Sequence, residues 1–235
     1  MAGETLKTEA ICLDIRPWSR TSHVVTWLAP TGKVTTVVKG AVRPKSAFLG
    51  QYDLNYTCDI LYYARAKGEM HALRECVPVE MREELRANYR MLALAGYFRR
   101  IVSDLAPAGS ECRQWYDLLA ASLSSLKPTV RSLIVFELAV LRLAGLSPDF
   151  SNYNKSDEWT MFSIETGSFR AEGGRCMRVS RDVAEYLANP RQNAKNLQTP
   201  LDAARVISVF YQFHLDCSPD ARRMVLGMIS ETEER

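Results

Sequence analysis

No Cys-x-x-Cys pair occurs in this sequence; its six cysteines, Cys12, Cys58, Cys76, Cys112, Cys176 and Cys217, are never closer than 18 residues. That spacing excludes a zinc ribbon and a disulfide framework, and fits reduced packing thiols of a cytosolic protein. There are only three histidines, His23, His71 and His214. None has a carboxylate or cysteine cluster beside it, so metal and general-base chemistry find no foothold. Phosphate-cradling and nucleophile-elbow motifs (Gly-x-x-x-x-Gly-Lys-Ser/Thr, Gly-x-Gly-x-x-Gly after a strand, Gly-x-Ser-x-Gly) are missing, and Gly173-Gly174 is too short a substitute. Carboxylates such as those in Glu83-Glu84-Leu85-Arg86 read as solvated helix-face pairs. No run approaches the ~18 apolar residues needed to span a bilayer, and Met1–Lys7 lacks an apolar core behind a basic start. The expectation is a cytoplasmic, non-enzymatic protein with neither membrane span nor cofactor nor metal.

One further absence is local. No acidic residue stands between Asp14 and Asp53, whereas Arg16, Arg20, Lys33, Lys39, Arg43 and Lys45 all do. The formal net charge is only +3, but a single-sign stretch creates a positive field whatever the total. With 235 residues, 47% of them hydrophobic, the chain can bury a real core in one domain or two.

Residues 5–79 are rich in Val, Ile, Thr and Tyr and are broken by turn residues. This predicts strands at Thr5–Ile15, His23–Ala29, Lys33–Lys39, Asp53–Ala64 and Met70–Val77, with turns at Ala29-Pro30-Thr31-Gly32 and Arg65-Ala66-Lys67-Gly68. Five short strands with a long third connection suit an OB-type barrel; an open five-stranded sheet is the alternative. After Pro78 the period becomes helical. Helices are expected over Glu80–Leu105, Gln114–Leu126, Thr129–Ala144 and Asp182–Leu187, with later starts at Thr199-Pro200 and Ser218-Pro219. The fold class is therefore α+β with two domains: an OB-fold barrel over 1–79 and a helical bundle over 80–235. An insertion at about 146–179 carries a hairpin, Thr160–Ile164 then Ser168–Ala171.

Gly32-Lys33-Val34-Thr35-Thr36-Val37-Val38-Lys39-Gly40-Ala41, followed by Arg43-Pro44-Lys45-Ser46 and Gly50-Gln51-Tyr52-Asp53-Leu54, closely resembles the N-terminal signature of the RecO family of recombination mediators. The upstream run Asp14-Ile15-Arg16-Pro17-Trp18-Ser19-Arg20-Thr21-Ser22 resembles that family's first loop. The order of barrel, helical domain and inserted loop agrees as well. The resemblance implies DNA repair and recombination: binding of single-stranded DNA, annealing of complementary strands to double-stranded DNA, and recombinase loading with a RecR-like protein on strands coated by single-strand-binding protein, whose C-terminal tail is docked.

The residues suit that role. Lys33 and Lys39 are an even number apart in a strand and share a face. Arg43 and Lys45 follow in a loop stiffened by Pro44 and given freedom by Gly40. Cations along a barrel face bind phosphates without reading sequence, and Trp18, Phe48 and Tyr52 offer surfaces for unpaired bases. Phe48 and Tyr52 read equally well as barrel core. The nucleic-acid candidates are thus Arg16, Trp18, Arg20, Lys33, Lys39, Arg43, Lys45, Phe48 and Tyr52, and Arg131, Arg142 and Arg205 are helix-borne candidates for the tail groove.

Many RecO-like proteins carry a four-cysteine zinc site in the insertion. Here Ser151, Asn152, Tyr153 and Asn154 stand where the first pair would be, and Cys176 alone remains of the second, so no zinc is expected and Trp159, Phe162 and Phe169 are expected to hold the hairpin. Two rivals share the sequence features: an OB-fold module for RNA or tRNA with helical contacts, and an enzyme assembled from dispersed residues near Glu80–Glu84.

Overall fold

β-branched and aromatic residues alternating with turn residues produce five strands: β1 Thr5–Ser19, β2 Ser22–Ala29, β3 Gly32–Val38, β4 Thr57–Tyr63 and β5 Met70–Glu80. The computed structural model describes residues 4–65, 70–109, 111–169, 174–215 and 219–230. The strands close into a barrel in the order β1-β2-β3-β5-β4, which removes the open-sheet alternative. Closure depends on a short parallel contact, Thr35, Thr36 and Val37 against Met70, His71 and Ala72; the other ladders are antiparallel. Trp27, Val25, Val38 and Ile60 fill the interior, and the Trp27 indole donates to Thr36 Oγ1 at 2.9 Å, which satisfies a polar group that burial would otherwise penalise.

Contacts divide the chain into two compact units, Met1–Ser125 and Leu126–Arg235. The first includes α1 Glu84–Ala87, α2 Tyr89–Leu105 and α3 Arg113–Ser124. The long helix expected from Glu80 is interrupted at Asn88, whose extended backbone and side chain, accepting from Arg90 and Met91 amides, start α2 afresh. Helices α2 and α3 pack on β1 and β2, so Ile11 and Leu28, paired across strands on the outer face, are fully buried. A bulge at Leu13 disturbs the ladder, and its carbonyl accepts from the Arg99 guanidinium of α2. β4 starts at Thr57 rather than Asp53, because Asn55 holds a left-handed φ of 68° that a strand does not accommodate. The turn expected at Arg65-Ala66-Lys67-Gly68 falls largely on 66–68, outside the described residues.

The second unit contains α4 Val130–Leu143, β6 Trp159–Ser163, β7 Cys176–Ser180, α5 Arg181–Ala188, α6 Gln198–His214 and α7 Pro219–Ser230. Glu137 on α4 is fully buried. Arg222 of α7 meets it through two bonds, Nε to Oε1 at 2.7 Å and Nη2 to Oε2 at 2.8 Å, and also donates to the Ala204 carbonyl of α6 at 2.9 Å. One ion pair thereby joins three helices. The start signal at Thr199 belongs instead to Asn196, whose Oδ1 accepts from the Thr199 amide at 2.8 Å and its hydroxyl at 3.0 Å; Ser218 lies outside the described residues.

The inserted hairpin exists with a different second arm. β6 pairs with β7, not with Ser168–Ala171, of which Arg170 and Ala171 lie outside the described residues. Gly167, at φ 66°, turns the chain tightly against Phe210 and Pro148, leaving Ser168 in isolated bridges to Ser163 and Asp149. Phe162 and Phe169 pack with Phe150 and Phe210. Trp159 does not join them: strand alternation turns it outward, 44% exposed.

Removing one partner of a buried ion pair strands the other, so Glu137→Ala or Arg222→Ala should cost about 3–5 kcal/mol in urea unfolding, and combining Glu137→Leu with Arg222→Met in one chain should recover most of it.

Candidate nucleic-acid interface

β1 is long enough to serve two partners. Thr5–Ile11 pairs with β4, and from Asp14 onward the strand pairs with β2 alone. This two-stranded end carries a second bulge: Pro17 faces His23 and Ser19 faces Ser22, so Trp18 is the extra residue. Bulges re-aim side chains, and Trp18 is 59% exposed. Arg16 and Arg20 flank it and are also exposed. Arg16 Nε lies 2.5 Å from Asp14 Oδ2, with both groups open to solvent, so that pair is screened and weak.

The connection from Val38 to Thr57 returns to this hairpin. The Gly40 amide donates to Ser22 Oγ at 3.2 Å and the Val42 amide to the Thr21 carbonyl at 3.3 Å. Gly40 has φ 68°, and a Cβ there would stand 3.2 Å from Arg43 Cδ; the missing side chain is what lets Arg43 fold over the backbone. Tight turns then follow, with Arg43 donating to Gly40, Ser46 to Arg43 and Leu49 to Ser46. Lys39, Arg43 and Lys45 are exposed. No carboxylate among the described residues lies within ion-pair distance of Arg20, Lys39, Arg43 or Lys45.

Thus Arg16, Trp18 and Arg20 are brought together with Lys39, Arg43 and Lys45. Three candidates go elsewhere. Lys33 is half-buried, and its ammonium donates to the Ser103 carbonyl of α2 at 3.1 Å. Phe48 and Tyr52 pack against the barrel core. The Tyr52 ring stands edge-on to Trp27 at 6.0 Å, and its hydroxyl is 2.8 Å from His23 Nδ1; burial pushes that hydroxyl well above the ordinary tyrosine range. The same loop also exposes two apolar side chains that the sequence reading does not single out, Val42 at 49% and Leu49 at 60%. Their position in an acid-free loop of turn residues was the available signal.

In the second unit, Arg131 donates to Asn193 at 3.4 Å and Arg205 pairs with Asp202 at 2.7 Å. Arg142 is placed differently, on the wall of a cleft of about 500 Å³ that also presents Val135, Leu138, Pro148, Leu187 and Arg191. Asp149 is the one carboxylate in that lining.

Two family profiles match this chain, Recombination protein O N terminal over residues 1–82 and Recombination protein O C terminal over residues 86–222. The chain belongs to the recombination protein O (RecO) family. Relatives named DNA repair protein RecO include that of Alkaliphilus metalliredigens, 27% identical over 173 residues, 69% of each chain. That of Acetivibrio thermocellus is 27% identical over 179 residues, 74% of this chain and 70% of that one. That of Moorella thermoacetica is 28% identical over 145 residues, 60% of this chain and 54% of that one. The five-stranded barrel followed by helices is the order in which the RecO profiles match.

The four-thiolate zinc site of many RecO proteins does not fit here. Cys176 stands on β7 opposite Ser163, Ser151–Asn154 supply no sulfur, and no three metal-ligating side chains converge among the described residues. No helix among the described residues is long and apolar enough to cross a membrane.

Gly40→Ala would place a left-handed alanine against Arg43, so thermal or chemical unfolding should show a loss of about 1–2 kcal/mol.

Proposed function

We propose that this chain is a non-enzymatic, cytoplasmic DNA repair and recombination mediator that binds single-stranded DNA on the joined surface of the β1–β2 hairpin and the loop after β3. The observation that carries the reading is the pair of hydrogen bonds from Gly40 and Val42 to the hairpin tip, which gathers unneutralised cations around an exposed tryptophan. Cations there bind phosphates by releasing counterions, and Trp18 supplies a face on which a base stacks. Neutralising two strands lowers the repulsion between them, so complementary strands anneal to duplex without any bond-making residue. No cofactor enters this step.

The RecO relationship supports the finer parts of the reading: loading of recombinase with a RecR-like partner on strands coated by single-strand-binding protein. The cleft beside Arg142 suits that protein's acidic, apolar C-terminal tail, with Val135, Leu138 and Leu187 for the apolar side chains and Arg142 and Arg191 for the carboxylates. Arg131 and Arg205 play no part in this seat.

Fluorescence-monitored annealing should fall roughly ten-fold or more in the variant Lys39→Ala, Arg43→Ala, Lys45→Ala, and the salt slope of oligonucleotide binding should become shallower by about 2. Unchanged annealing would refute the DNA site, and a preference for RNA over DNA without annealing would favour an RNA-binding module instead. Arg142→Glu should weaken binding of an acidic, apolar tail peptide at least about ten-fold, by charge reversal at the cleft wall, and leave oligonucleotide binding intact.

A further inference from the structure

The β6–β7 hairpin has two chemically different faces. Its inner face buries Phe162, fully, and Val179, 2% exposed, with Phe162 stacked 5.0 Å from Phe150 and edge-on 5.2 Å from Phe169. Its outer face presents Trp159, 44% exposed, and Met161, 52% exposed. The alternation follows from the strand period. The consequence is unusual: a tryptophan stands in solvent while the phenylalanines around it make the core.

Met161 lies directly opposite Arg178, so Arg178 is diagonal to Trp159, within cross-strand reach. Its guanidinium carbon is 4.4 Å from the Trp159 ring centroid. Just before β7, Arg175 sits 5.8 Å over the ring of Phe213 on α6, itself 43% exposed. Neither strand contains an acidic residue, and no carboxylate among the described residues is within ion-pair distance of Arg175 or Arg178. The rings hold the guanidinium groups in place, and their charges stay open to a partner.

We propose that this outer face is a second contact for single-stranded nucleic acid, with Trp159 as a base-stacking platform and Arg178 as its phosphate partner. A flat face with an exposed ring and an un-neutralised guanidinium group has the two elements that unpaired strands require, a π-surface for a base and a cation for the backbone. An acidic peptide would need the cations but has no use for the rings and no groove on a two-stranded sheet to seat its side chains. The proposal rests on the DNA-binding reading of the chain, extends it to the second unit, and stands on residues that the barrel surface does not use.

The test uses the full chain, fluorescein-labelled oligothymidylate read by anisotropy, and bromouracil-substituted oligonucleotides cross-linked by light and mapped by peptide. Trp159→Ala and Arg178→Ala should each weaken binding roughly five- to ten-fold, and Trp159→Phe should keep most of it, because a stacking face survives. Arg178→Ala should also lower the salt slope by about 0.7. Cross-links to the segment bearing Trp159 should persist when Lys39, Arg43 and Lys45 are all alanine. The exposure of both side chains leaves the core intact, and an unfolding midpoint matching the wild type verifies this. Wild-type affinity and slope in Trp159→Ala and Arg178→Ala, with no cross-link between 159 and 180, would overturn the proposal. So would loss of polyglutamate binding in place of oligonucleotide binding. If only the hairpin changes weaken binding, the barrel reading fails and this one stands.

Discussion

The Gly40 and Val42 amides bond to Ser22 and Thr21, and these contacts fix the start of the connection after β3 against the tip of the first hairpin. Residues far apart in sequence are brought together there. Without this tie, Arg16 and Arg20 would be charges on a ribbon and Arg43 and Lys45 charges on a loop. With it they share one surface. The conformation has a steric condition, since only glycine takes φ 68° cheaply while leaving room for the Arg43 side chain.

The same loop is anchored from beneath by apolar and polar contacts that keep its cations outward. Phe48 and Tyr52 turn into the end of the barrel, and the Gln51 carbonyl accepts from the thiols of Cys58 and Cys76, both at 3.6 Å. At the far end, Asp53 meets Arg86 of α1 at 2.5 Å, and buried Arg82 donates to the Asn55 carbonyl at 2.5 Å and to Thr57 Oγ1 at 3.0 Å. Burial lowers the pKa of Arg82, while Glu80 is the strongest influence in the opposite direction. Acidic residues are thus not missing from the barrel: Asp53 and Glu80 stand at the margin of the loop, paired with Arg86 and Arg82.

Much of the fold was legible because period and turn chemistry are local. The alternation of Val, Ile and Thr places β2 and β3 within a few residues, and the helical period does the same for α4 and α5. What escaped was set by tertiary contacts. Asn88 divides a helix that continuous periodicity would extend, and the partner of β6 depends on a turn at Gly167 packed against Phe210. At the candidate interface, sequence identifies the charged stretch but not which cations are free. Lys33 and Lys39 are spaced to share a strand face, yet β3 ends at Val38 and the helix over Lys33 engages its ammonium. Trp18 reads from sequence as an aromatic on a polar loop, whereas the structure places it in a bulge of β1, which is a property of strand pairing.

The central claim is that the hairpin tip and the loop after β3 act as one DNA surface. Hydrogen–deuterium exchange of the full chain, with and without saturating oligothymidylate, tests it most directly. The account predicts joint slowing of exchange in residues 18–23 and 40–49, with the same dependence on oligonucleotide concentration and the same sensitivity to salt. Protection of only one of these segments, or of neither while DNA is bound, would contradict it.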